Sequence, residues 1–198
     1  EISCSLVGSE MCIRDRFDCA PISDGAASLV LCPLEDAKKY TDSYVKVSAV
    51  TQASDTLALF QRPDITTYQA TVEAARRAYE QAHITAQDIS VAEVHDTYTV
   101  TGIMALQDLG FYKRGEAGKA VLNEECHFDS GKVAINTSGG LKARGHPIGA
   151  TGVAKIVELV EQLRGSADKR QVENAKYGLA QNTGGTGSAV TVIILEAM

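Results

Sequence analysis

Apolar residues along the chain fall into short runs divided by polar, glycine-bearing stretches, and their spacing predicts strands alternating with helices. Residues 26–31, AASLVL, read as a short buried strand entered through Pro21 and the turn pair Asp24-Gly25. Residues 45–50 alternate apolar and polar positions as a second strand. Over residues 66–82, alanines at 70, 74, 78 and 82 recur every fourth position, which predicts a helix with one small-residue face suited to close packing. Pro63 precedes it, and Asp64 or Thr66 supplies the N-cap.

Residues 91–94 form a further predicted strand, with His95-Asp96 directly behind it. Val100, Ile103, Met104 and Leu106 keep helical spacing over residues 99–109, and Gly110 ends that helix. Residues 111–132 have mixed polarity and read as a long loop with one short helical turn. A short strand at 133–135 leads into NTSGGLKARGHPIGATG at 136–152. Val153, Ile156, Val157 and Val160 then predict the core-facing stripe of a helix that ends near Gly165. The chain closes with a strand at 177–180, a turn at Gly184-Gly185 and a strand at 189–195. Strands alternating with helices of this length indicate an α/β layered domain with its polar motifs at element ends.

Composition narrows the function classes. The 198 residues are 44% hydrophobic, enough for one or two cored domains. With 25 acidic and 19 basic residues the net charge is -6. Because no basic cluster exceeds Lys38-Lys39 or Arg76-Arg77, no nucleic-acid partner is expected. The sequence has no long apolar run and no charged leader into an apolar core, so neither a membrane span nor secretion is expected, and the default compartment is cytoplasmic. Cysteines at 4, 12, 19, 32 and 126 are odd in number and irregular in spacing, against a disulfide framework or a zinc site. Residues 1–16, EISCSLVGSEMCIRDR, follow neither period, resemble translated adapter read-through and are set aside as a non-native segment.

The chemistry concentrates in three segments: EVHDTY at 93–98, NTSGGLKARGHPIGATG at 136–152 and QNTGGTG at 181–187. Each lies at a strand end, where an α/β scaffold displays reactive groups, and their glycine density suits tight turns or close approach to a ligand. His146, between Gly145 and Pro147, sits in a constrained turn at a helix start. It is a candidate to deprotonate a thiol and to donate to an oxygen acquiring charge. His95 at its strand tip is a candidate donor to a thioester carbonyl, and Asp96 can orient a neighbouring loop or cap the following helix. Asn182 with Gly184-Gly185 offers a second group of donors. No metal is expected, because H-x-x-x-H and C-x-x-C spacings are absent.

Taken together, GHPIGATG, NTSGG and EVHD resemble the C-terminal domain of the thiolase family, and PISDGAASLVL at 21–31 resembles the last strand of that family's N-terminal domain. The HDTY and QNTGG motifs are nearer the sterol-carrier-protein-type and archaeal members than the biosynthetic ones. The resemblance implies a layered α/β fold whose C-terminal domain, residues 41–198, is a mixed five-stranded sheet with helices on both sides. Residues 17–40 would be a remnant of an N-terminal half that is mostly missing. It further implies that His146 activates a cysteine of the other half, His95 holds the thioester oxygen, and the Gly184 amide lines the acyl-enzyme oxyanion hole. Coenzyme A would lie against Ser138, Gly139, Gly140, His146 and Pro147. Coenzyme A thioesters would be substrates, with no separate cofactor. The full-length enzyme would be a homodimer or homotetramer, and an accessory acyl-CoA-binding subunit is compatible with it.

Two departures from the family pattern bear on the reaction. The nucleophilic cysteine should precede residue 17, since Cys19, Cys32 and Cys126 do not match its motif, so the fragment is expected to be inactive alone. Thr97 and Asn182 stand where different relatives carry the cysteine that shuttles a proton during condensation. Neither side chain titrates near neutral pH, so Tyr98, another residue or water would carry that proton. The expected activity is Claisen condensation or thiolytic cleavage of a 3-ketoacyl-CoA. The alternatives are a retro-aldol lyase acting on a bulky acyl-CoA and a non-catalytic partner subunit of the same fold.

Overall fold

Alternation along the last strand explains the two-faced sheet. The computed structural model describes residues 17–129 and 132–198, so the segment read as non-native lies outside the described residues. In β5, Ala189–Ala197, the side chains of Val190, Val192 and Ile194 enter one apolar layer while Leu195 enters the other. The first layer is closed by α1, Gln69–Ala82, through the fully buried Ala70, Ala74 and Ala78. Small side chains bring this helix so near β1, Val45–Ser54, that the Thr51 hydroxyl donates to the Ala74 carbonyl at 2.8 Å.

The second layer is closed by α5, Thr151–Leu163, whose Ile156, Leu159 and Leu163 meet Val91 and Ala180. Those two residues belong to β2, Val91–Glu93, and β4, Tyr177–Gly184. With β3, Ala134–Ile135, the sheet has the order β1-β5-β4-β2-β3. The β1/β5 and β5/β4 pairs are antiparallel, and β4/β2 and β2/β3 are parallel. This is the mixed five-stranded sheet with helices on both sides that the resemblance implied.

Among the described residues, three shorter α-helices complete the layers: α2, Thr99–Asp108; α3, Ala117–Leu122, inside the region read as loop with one helical turn; and α4, Gly140–Arg144. Among the described residues, no helix is long and apolar enough to cross a membrane.

Some expectations require correction. Residues 26–31 form no strand, and Val30 and Leu31 are 98% and 77% exposed. An apolar run becomes a strand only where a neighbouring backbone can pair with it, and no described strand lies beside this one. The first long helix starts at Gln69 rather than Thr66. Asp64 Oδ1 instead accepts from the Thr66 amide and hydroxyl in a preceding turn, and the Tyr68 amide is taken by Asp108 Oδ2 at 2.8 Å. Helix α5 is rotated relative to the valine stripe: Val153, Val157 and Val160 are half-buried, whereas Lys155, Glu158 and Gln162 are buried. Each of these polar side chains has partners inside, so hydrophobicity alone misplaced the core face.

Candidate active site

The tips of β2 and β4 and the turn between α4 and α5 meet at one end of the sheet. His95 follows β2, and its amide donates to Gln181 Oε1 on the adjacent β4 at 2.8 Å. His146 occupies the turn before α5, and its ring stands edge-on to that of His95, 5.0 Å between centroids and 84° between planes. Gly145 permits the turn: its φ of 85° and ψ of 172° suit glycine, and a Cβ there would collide with the Ser23 side chain.

The proton positions on His146 follow from its neighbours. Thr151 Oγ1 donates its single hydrogen to the Pro147 carbonyl at 3.0 Å, as a helical threonine commonly does four residues back. The same oxygen lies 2.7 Å from His146 Nδ1 and therefore accepts from it. Nε2 is left with the lone pair that a general base needs. Burial and the charges of Lys155 and Arg144 hold the His146 pKa below the ordinary imidazole value, with Asp96 opposing. Burial first, and then the charge of Lys155, pull that of His95 down to about 3. Both rings are neutral at pH 7.

A second set of bonds fixes the loops that carry these rings. Asp96 accepts at Oδ1 from the Leu141 amide at 2.9 Å, so it orients α4 and not the helix that follows it in sequence. Gly140, with φ of 68°, allows this, because a Cβ there would strike Asp96 Oδ2. Asn136 Oδ1 accepts from the Val94 amide at 2.7 Å. Ser138 donates its hydroxyl to Glu93 Oε2 at 2.7 Å and its amide to Oε1 at 3.1 Å. Its hydroxyl is thus engaged within the loop. Burial raises the Glu93 pKa against these bonds. Gly139, at φ of 87°, opens α4, and half-buried Pro147 packs beside Gly25.

A cleft of about 280 Å³ opens beside His95. Its walls include Thr97, Tyr98, Tyr68, Thr183 and Gly185. The Thr97 hydroxyl is buried and has no hydrogen-bond partner among the described residues. Gly184 ends β4 in the same hairpin, where its carbonyl accepts from the Gly187 amide at 3.2 Å. Asn182 directs Oδ1 at His95 Nδ1, 3.1 Å away. Cys126 lies elsewhere, donating to the Tyr112 hydroxyl, and Cys32 is exposed.

Sequence reasoning missed two participants. Lys155 is fully buried and reaches His95 Nδ1 at 3.2 Å, and its signal was a polar stripe at helical spacing, Thr151, Lys155, Glu158 and Gln162. Residues 18–21 form a strap across both loops. The Ala20 amide donates to the Thr97 carbonyl at 2.9 Å, and the Thr99 amide to Asp18 at 3.0 Å. The His146 amide donates to the Pro21 carbonyl at 3.2 Å. No periodicity announces such a strap.

Known proteins are similar to this chain in sequence and in fold. A family profile described as thiolase C-terminal domain-like matches residues 51–197. An acetyl-CoA acetyltransferase of Methanothermobacter thermautotrophicus is 53% identical over 180 residues, covering 91% of this chain and 47% of that protein. Human sterol carrier protein 2 is 37% identical over 197 residues, covering 94% of this chain and 36% of its own length. Among solved structures, the Ltp2-ChsH2(DUF35) aldolase superposes with a TM-score of 0.72 at 25% identity, covering 83% of this chain and 42% of that one. The chain spans about half the length of the archaeal relatives it matches. The profile match over residues 51–197, on a mixed sheet of this topology, shows that the chain belongs to the thiolase family, as its C-terminal domain.

Proposed function

We propose that this chain is the C-terminal part of an acyl-CoA acyltransferase of lipid metabolism that condenses or thiolytically cleaves 3-ketoacyl-CoA through a cysteine acyl-enzyme. The observation that carries this reading is the pair of neutral imidazoles, 5.0 Å apart, with His146 Nε2 free to accept a proton. In this account a thiol supplied from outside the described residues gives its proton to His146 Nε2, and the thiolate attacks the acyl carbonyl. The carbon–sulfur bond to coenzyme A breaks, and the departing thiolate takes the proton back from His146. His95 donates to the thioester oxygen as it gains charge, and the Gly184 amide serves the oxyanion of the acyl-enzyme. Ser138, Gly139, Gly140, His146 and Pro147 border the coenzyme A groove. The longer protein works in the cytoplasm as a homodimer or homotetramer, open to an accessory acyl-CoA-binding subunit.

The test is to incubate the longer protein with acetoacetyl-CoA and coenzyme A and to follow acetyl-CoA formation. Turnover is expected, and His146→Ala should slow acyl-enzyme formation by about 100-fold or more, the usual scale for losing a general base. Unchanged labelling of that variant by an acyl-CoA would remove His146 from its role.

A second reading, a carbon–carbon lyase acting on a bulky acyl-CoA, has two supports. Thr97 and Asn182 offer no titratable proton carrier at the positions where relatives hold cysteine, and an aldolase is among the similar solved structures. Cleavage of an aldol-type acyl-CoA with no thiolysis would select it. Failure of both reactions would favour the non-catalytic partner subunit.

A further inference from the structure

Lys155 has no role in the acyl transfer set out above, yet among the described residues no side chain of its length is more completely enclosed. It projects from α5 into the space between the tips of β2 and β4. Its Nζ lies 2.7 Å from the Gln181 carbonyl, 3.3 Å from Asn182 Oδ1 and 3.2 Å from His95 Nδ1. An ammonium has three hydrogens and no lone pair, and three acceptors stand within reach. We infer that Lys155 is a positioning residue that sets the tautomer of His95 by donating to Nδ1, which confines the ring's single N–H to Nε2.

The competing arrangement has Nδ1–H donating to Asn182 Oδ1, 3.1 Å away. It would set an N–H against an ammonium hydrogen and leave that hydrogen without an acceptor inside the protein. A bond made by an ionised donor is about twice as strong as a neutral one, so the arrangement that satisfies the ammonium prevails. The cost is an acceptor–acceptor contact between Nδ1 and Asn182 Oδ1, which the shared cation offsets. Burial above all, with Arg144, opposes the charged amine and Glu93 and Asp96 favour it, leaving a pKa of about 7. The hydrogen bonds of the His95 ring are made at Nδ1, and His95 lines the cleft. The hydrogen on Nε2 is therefore available to an oxygen bound there.

Below about pH 7, where the amine is charged, this tautomer is a property of the folded chain, and only its catalytic meaning rests on the acyl-CoA reading. Long-range proton–nitrogen correlation spectra of the intact, histidine-labelled protein at pH 6 read it directly. A His95→Asn variant identifies the His95 signals among the four histidines. The expected pattern is a protonated Nε2 and an unprotonated Nδ1, reversed or mixed in Lys155→Met. A protonated Nδ1 in the unaltered protein overturns the inference even if the variant does not fold, and so does an unchanged pattern in a folded Lys155→Met.

Where acyl-CoA turnover is present, Lys155→Met should lower kcat by up to about 100-fold with KM little changed, the scale for losing one oxyanion donor. A reversed tautomer with unaltered turnover keeps the inference and removes His95 as the donor. Absence of any turnover in the unaltered protein counts against the acyltransfer reading and leaves the spectrum to decide the tautomer.

Discussion

A lysine enclosed by protein has a measurable thermodynamic signature, separate from its partners in the site. The Lys155 pKa falls from 10.5 to about 7, chiefly through burial. Below about pH 7 the amine is charged in both folded and unfolded chains, and the folded state bears the whole desolvation cost. Between about 7 and 10.5 the unfolded chain alone holds the proton, so folding stability rises with pH across that window. Above it neither form is charged and the cost has vanished. The full span corresponds to about 5 kcal/mol, from about 1.4 kcal/mol per pKa unit. Denaturant melts at pH 7 and pH 9 should therefore show the unaltered protein gaining on Lys155→Met by about 2 to 3 kcal/mol. Parallel pH profiles would mean the amine titrates as if exposed. The same residue shows why part of the site was illegible in the sequence. A lysine within a helix ordinarily faces water, and its partners Gln181 and Asn182 lie 26 and 27 positions further along the chain.

At the scale of elements, the glycines of the 136–152 loop divide into those the backbone requires and those it does not. Gly145→Ala should destabilise the protein by about 1 to 3 kcal/mol, because its dihedral angles belong almost solely to glycine and the Ser23 side chain blocks a Cβ. Gly149→Ala, where a Cβ meets nothing within 4 Å, should stay within about 0.5 kcal/mol of the parent. Thermal melts of the two variants check both, and equal losses would contradict the distinction. Sequence periodicity located α1, α2 and the closing hairpin well, since each buries side chains at its own repeat. It failed for residues 26–31 because strand identity depends on a pairing partner, and for the face of α5 because polar contacts from other elements set its rotation. Both histidines could be singled out as candidates because each stands at an element end, His95 behind a strand and His146 in a glycine-bearing turn before a helix.

For the molecule as a whole, the unpaired 26–31 segment predicts association. Ile22, Val30 and Leu31 present large apolar side chains to solvent along one stretch, with Leu34 half as exposed beyond them. The 198-residue chain should grow in apparent mass as its concentration rises, and a Val30→Asp, Leu31→Lys double variant should suppress this. Sedimentation velocity over a concentration series measures it. A unaltered chain that remains monomeric at high concentration would show these side chains to be harmless.

The strap of residues 18–21 has a mechanical consequence for the same molecule. It is bonded at one end to the stretch just beyond Asp96 and at the other to the His146 amide, so it adds a tie rod between two loops that Asp96 and Leu141 already join. Cutting that tie should therefore loosen the spacing of the two imidazoles without touching either ring.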